Sequence, residues 1–291
     1  MKRILIAGGT GVLGRALVAN LRAAGCRVRV MSRQPPLLTA PFSRSGSGEG
    51  AGGEVEWAQA DLATGAGLSA ALEDTPIVIH AATLSAATPK GLRPDYLFAH
   101  PRIVDVDGTH RLIEQACATR VEHFLYVSIV GIDHFPQMGY YRHKVEAEQL
   151  VAASGLPWTI LRATQFHQLL DGLLTATSAL PLMPLATDFQ FQPIDPGEVA
   201  ERIRSLVADG PIGRAPDMGG PEVLRLDDMA RAWLAARGLQ RRIIHLPLPD
   251  SFGGAFKCGD LTCPQNKYGR LTWAEWLQRK YSARATQQHP A

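Results

Sequence analysis

Cysteine is scarce, like charges never cluster, and no apolar run is long enough to cross a bilayer; each lack removes a class of function. The four cysteines, Cys26, Cys117, Cys258 and Cys263, lie mostly in periodic apolar segments, the pattern of reduced core thiols in a cytosolic protein. "CGDLTC" has half the look of a metal site, but no second Cys or His pair stands at ligand spacing, so no metal is expected. The histidines form no HExxH, and His110 with Glu114 reads as a solvated helix face. Net charge is only +3, with Lys and Arg spread along the chain, so no nucleic-acid surface is expected. No membrane role is expected either. "MKRILIAGG" turns into a strand and a glycine loop too early for a signal peptide, which points to a cytoplasmic location.

What is present is a large apolar reserve, 46% of 291 residues, enough for one large α/β domain or one domain with an appendage. "RILIA" (3–7), "RVRVM" (27–31), "EVEWA" (54–58), "PIVIH" (76–80), "HFLYVS" (123–128) and "WTILR" (158–162) read as strands, several almost continuously apolar. Between them "GVLGRALVANLRAAG", "VDGTHRLIEQACATR" and "GYYRHKVEAEQLVAASG" carry helical periodicity. Strict alternation predicts a Rossmann-type, doubly wound parallel sheet, with a dinucleotide-binding core over residues 1–165 and a substrate-side region over 166–291 packed on it. No repeat of fixed period interrupts this. The Gly, Ser and Pro of "TAPFSRSGSGEGAGGE", residues 39–54, predict a flexible loop.

The strongest motif follows the first strand, in "IAGGTGVLGRAL". Gly9, Gly11 and Gly14 satisfy GxGxxG, and Gly8, Gly11 and Gly14 the related GxxGxxG. One glycine must adopt a backbone conformation closed to other residues, one must let a pyrophosphate approach, and one must let the helix pack on the strand. The candidate cofactor-binding residues here are Gly8, Gly9, Thr10, Gly11, Val12, Leu13 and Gly14. Where an acidic residue would mark the ribose of NAD, the chain reads "VMSRQ". Ser32 and Arg33 suit a 2′-phosphate, so NADP(H) is expected over NAD(H), with Arg15 a weaker second cation.

"GYYRHKVEAEQL" places two tyrosines ahead of a lysine. On a helix Tyr140 and Lys144 share a face at i and i+4, whereas Tyr141 points elsewhere. The spacing alone also fits an ordinary polar helix face.

With "GGTGVLG", "ADL", "VIHAAT", "FLYVSIVGI", "YYRHKVEAEQL" and "LPWTILRATQFHQLL" in this order, the sequence resembles the atypical, NmrA-like members of the short-chain dehydrogenase/reductase superfamily over nearly its whole length. The resemblance implies that Asp61 and Leu62 contact the adenine, that Ala81 and Ala82 line the cofactor, and that "RATQF" begins the substrate pocket. It implies further that Tyr140 donates a proton as hydride arrives, while Lys144 holds the ribose and lowers the phenol pKa. The superfamily's serine or threonine at the end of the fifth strand falls on Ser128 in one alignment and on Ile129 in another.

In the last third, "FQFQPIDPGEVAERIRSLVADG" reads as strand, turn and helix with Asp195 near the N-cap. A further helix, a strand in "RRIIHLPL" and a closing helix with Trp273 and Trp276 in the core follow. Phe166, His167, Phe189 and Phe191 line an apolar pocket or simply pack. The expected function is an NADP(H)-binding oxidoreductase acting on a small carbonyl, quinone or related electrophile. The alternative is a non-catalytic regulator that senses the dinucleotide and acts through a protein partner; a homodimer or a protein partner is the expected association. The substrate is not written in the sequence.

Overall fold

The structure is a computed structural model and describes residues 2–34, 53–84, 87–88, 91–92 and 101–287, with side chains to 282. Most of the glycine-rich stretch expected to be a loop lies outside the described residues. Seven strands form one parallel sheet: β1 (Arg3–Ala7), β2 (Arg27–Ser32), β3 (Val55–Gln59), β4 (Ile77–His80), β5 (His123–Ile129), β6 (Trp158–Ala163) and β7 (Gly213–Arg214). They run in the order β7-β6-β5-β4-β1-β2-β3. Connection direction reverses between β1 and β4, so a crevice opens beyond their carboxyl ends, where such sheets bind ligands.

The central strands read as unbroken apolar runs because both faces are covered. On one face Ile4, Ile6, Val28, Val30, Ile79 and Leu125 pack against α1 (Val12–Ala23) and α7 (Pro196–Asp209). On the other, Leu5, Val78, Phe124 and Tyr126 meet α2 (Leu68–Leu72), α4 (Asp107–Ala118) and α5 (Gly139–Ala153). The short α3 (Arg102–Asp105) leads into α4. Asp195 caps α7 by accepting from Gly197 N–H at 2.8 Å, with Pro196 at the first helical position.

A third cluster is built from α6 (His167–Ser178), α8 (Leu226–Ala236), α9 (Asp250–Cys258) and α10 (Trp273–Gln287) around Trp233 and Trp273. The chain beyond residue 165 also serves the sheet, since β7 pairs with β6 and α7 packs on α1. The aromatic pocket-or-packing alternative falls toward packing for two of its members. His167 is buried with its ring parallel to both Trp273 and Trp276, and Phe191 is buried against Phe256. The cysteines depart from expectation: all four are free, but only Cys263 is buried, while Cys117 and Cys258 are exposed. Cys117 lies one residue from the end of its helix and Cys258 at a helix C-terminus, where the apolar period has run out. No helix among the described residues is long and apolar enough to cross a membrane.

Candidate active site

The glycine loop divides its labour by position. Gly8 sits at φ +89°, and a Cβ there would lie 2.7 Å from Ala82 backbone, so the loops after β1 and β4 touch. A Cβ on Gly9 would strike Val30 at 2.5 Å, and one on Gly14 would lie 2.1 Å from Gly8 O. Gly11 differs, since its Cβ would meet only Gly8 O, at 3.3 Å. Gly11 is the N-cap of α1, and no side chain caps the helix. Its first-turn N–H groups therefore point at the crevice without a protein acceptor on a side chain, an anion site made by backbone alone. This surface fits a dinucleotide pyrophosphate. Thr10 O accepts from Arg15 Nη1 at 2.7 Å, which spends Arg15 on the loop itself. Val12 is exposed, and Leu13 is buried in the core.

At the end of β2 Ser32 Oγ donates to Gln34 O at 2.7 Å, and the exposed Arg33 guanidinium forms no ion pair among the described residues. Asp61 Oδ1 accepts from Ala63 N–H at 2.9 Å, which shapes the turn after β3, while Leu62 is buried under Gly108. Ala81 and Ala82 are half-buried beside Gly8.

On α5, Tyr140, Lys144 and Glu148 follow one another at i, i+4 and i+8 along one face. Lys144 is 4% exposed; its Nζ donates to Val127 O at 2.9 Å and stands 4.3 Å from the centre of the Tyr126 ring. Burial lowers the lysine pKa, opposed by the charges of Asp105 and Glu148. Tyr140 is half-buried, with its hydroxyl 3.3 Å from Thr83 Oγ1. Here the structure departs from the expected lowering of the phenol pKa. Burial, then the Asp105 carboxylate, push Tyr140 well above the usual tyrosine range, with only the Thr83 hydrogen bond acting the other way. Tyr141 turns into the third cluster, where its ring meets Phe135 edge-on at 6.3 Å.

Alternate strand residues face opposite ways, and Ser128 follows Tyr126 onto the α5 side, beside the Glu148 carboxylate. Its Oγ is buried without a hydrogen bond in normal geometry, though it is close enough to favour the ionised Glu148. Ile129 instead packs on the cluster that holds Tyr140 and Tyr141.

Several polar groups here escaped sequence reasoning. Asp105 accepts from Thr83 Oγ1 at 2.6 Å and from Leu84 N–H at 3.0 Å. His80 Nε2 lies 2.8 Å from Thr109 Oγ1, whose hydroxyl donates to Asp105 O, so the ring nitrogen is the donor. Complete burial, then Lys144, hold the His80 pKa down to about 3, so the ring is neutral. Glu148 receives Arg162 in two bonds of 2.8 and 2.7 Å and Arg214 in one of 2.9 Å, and Arg162 also clasps Asp133. Burial disfavours the Glu148 anion, yet these donors leave its pKa lowered. An arginine ending the apolar strand "WTILR" was the available signal.

These features define an α/β protein with a Rossmann-type, doubly wound parallel sheet. The chain belongs to the NAD(P)H-binding family, whose model matches residues 8–203. It is 31% identical over 169 residues to the photosystem II assembly factor Ycf39 of Cyanophora paradoxa, covering 58% of this chain and 47% of that protein. The chain thus spans about half the length of that relative. It is 29% identical over 224 residues to the (4-alkanoyl-5-oxo-2,5-dihydrofuran-3-yl)methyl phosphate reductase of Streptomyces griseus, covering 76% of this chain and 69% of that one. The NADPH-dependent quinone oxidoreductase QOR2 of Escherichia coli, solved with NADPH, superposes with a TM-score of 0.71 at 19% identity, over 96% of this chain and 99% of that one.

Proposed function

We propose that the protein is an NADP(H)-dependent oxidoreductase that reduces a small carbonyl, quinone or related electrophile. The observation that carries this reading is Tyr140, with its hydroxyl held by a hydrogen bond on the helix that also buries Lys144. Bound NADPH supplies the hydride. Gly11 and the α1 N-terminus hold the pyrophosphate, Arg33 with Ser32 meets the 2′-phosphate, and Tyr140 gives its proton to the oxygen of the reduced substrate. Two reductases among the similar proteins support the class.

The test is NADPH oxidation across a panel of quinones and ketones, with Tyr140→Phe and Tyr141→Phe beside the parent. Tyr140→Phe should lower turnover roughly a hundredfold at unchanged NADPH affinity, and Tyr141→Phe should do little. Full activity in Tyr140→Phe would remove the proton-donor role.

A second reading is favoured by Ile129, which stands on the tyrosine side where a hydroxyl was expected. In it the protein binds the dinucleotide and acts through a protein partner, as the name of the assembly-factor relative suggests. Tight NADPH binding with no turnover on the whole panel, together with a recovered partner, would favour it.

A further inference from the structure

The Tyr140 hydroxyl, the Thr83 hydroxyl and the Asp105 carboxylate form a chain with steps of 3.3 and 2.6 Å. A threonine hydroxyl has one proton to give, and the shorter, charge-assisted bond takes it. With that proton committed to Asp105, Thr83 Oγ1 faces the Tyr140 oxygen as an acceptor while the phenol is neutral, and donates to a phenolate only by giving up the Asp105 bond. The carboxylate is well fixed. It is 1% exposed, its second oxygen accepts from Leu84 N–H at 3.0 Å, and its helix is clamped to α5 by Arg102, which meets Glu146 in two bonds of 2.7 Å.

We propose that Asp105 is a positioning residue that acts through Thr83 to keep the Tyr140 phenol protonated and directed, so that the site gives a proton during reduction more readily than it takes one during alcohol oxidation. This rests on the oxidoreductase reading above. The groups around Tyr140 agree with it. Asp105 faces it from α3, Tyr126 from β5, and Tyr141, Lys144 and Glu148 belong to its own helix. Burial and the Asp105 charge both act against a phenolate, and Tyr141 adds to them. The Lys144 ammonium donates to Val127 O. A phenol beside a buried carboxylate is tolerated; a phenolate there is not.

The two links place the carboxylate within about 6 Å of the phenol oxygen, which at a protein-like dielectric moves the phenol midpoint by roughly one to two pH units. The test is a pH titration of the full-length protein, without cofactor, followed by tyrosine ring-carbon NMR, with Tyr140→Phe assigning the signal. The parent Tyr140 should stay protonated beyond the midpoint of an exposed tyrosine, and Asp105→Asn should bring it down by that one to two units. Asp105→Ser serves the same end if the asparagine variant does not fold. Asp107→Asn, which removes an exposed charge two residues away, should leave the midpoint where it was. With a substrate that the parent reduces, Asp105→Asn should also move the alkaline limb of the reduction profile to lower pH and raise alcohol oxidation relative to reduction. An unmoved Tyr140 midpoint in a folded, uncharged Asp105 variant overturns the inference, as does a parent Tyr140 that titrates like free tyrosine. The titration needs neither cofactor nor substrate. A protein that turns nothing over therefore sinks the oxidoreductase reading, and an unmoved midpoint sinks this one.

Discussion

Glu148→Gln is the substitution that most directly tests how α5 is held. Both carboxylate oxygens are engaged, Oε1 by Arg162 Nε and Oε2 by Arg162 Nη2 and Arg214 Nη2. A glutamine keeps the shape but must turn its NH2 toward a guanidinium, donor against donor. Removing one partner of a buried pair costs about 3–5 kcal/mol. Two features soften that here. Arg162 keeps Asp133, and Arg214 is 49% exposed and can return to water. The expected loss is therefore about 2–3 kcal/mol, below the range for a fully stranded charge. Read as a melting point, that is roughly 3–5 °C for a chain of this size.

Urea unfolding of parent and variant at pH 7 measures it, and a difference below about 1 kcal/mol would mean that the network behaves as an exposed one. A second arm uses Glu148→Leu with Arg162→Met. Replacing both partners by apolar groups should cost less than the sum of the single changes, and simple additivity would refute the coupling. The pH dependence has a definite sign. The folded pKa of Glu148 is lowered, so its contribution is present above the unfolded carboxylate value of about 4.3 and is lost as pH falls through the folded one. The gap between parent and Glu148→Gln should accordingly close in acid.

The glycine loop offers a paired test, because its positions carry different constraints. Gly11→Val, whose Cβ meets only Gly8 O at 3.3 Å, should leave the fold intact and abolish most NADPH binding measured by fluorescence, while Gly14→Ala, with its Cβ at 2.1 Å from the same oxygen, should destabilise the protein itself. If Gly11→Val binds NADPH like the parent, the pyrophosphate lies elsewhere. Arg33→Ala should weaken NADPH roughly ten- to a hundredfold and leave NADH nearly unchanged, the effect of one charge-assisted contact worth about 1.5–3 kcal/mol. Equal losses for both dinucleotides would remove the 2′-phosphate role.

The parts of this fold that could be read from sequence are those whose physics is local. Strands covered on both faces show as continuous apolar runs, and six were placed within a residue or so of their ends. β7 escaped because two residues, one of them Gly213, carry no period at all. Helix α9 escaped for a different reason, since "DSFGGAFKC" holds adjacent glycines that argue against a helix. Packing explains one of them: a Cβ on Gly253 would lie 2.8 Å from the Phe189 ring. The site divides in the same way. The glycine loop and the Tyr140/Lys144 spacing are contiguous in sequence, whereas Thr83 meets Asp105 across 22 residues and Glu148 meets Arg162 across 14, so only the closed tertiary structure joins them.

The strand-end hydroxyl shows how much a single residue of register decides. "YVSIVG" contains one hydroxyl, and a period of two forces Ser128 and Ile129 to opposite faces of the sheet. Ser128 falls on the side of Tyr126 and Glu148, while Ile129 packs on the cluster that holds Tyr140 and Tyr141. The hydroxyl set beside Tyr140 is that of Thr83, on the loop after β4 and 3.3 Å from the phenol oxygen, and its single proton is committed to the buried Asp105 carboxylate.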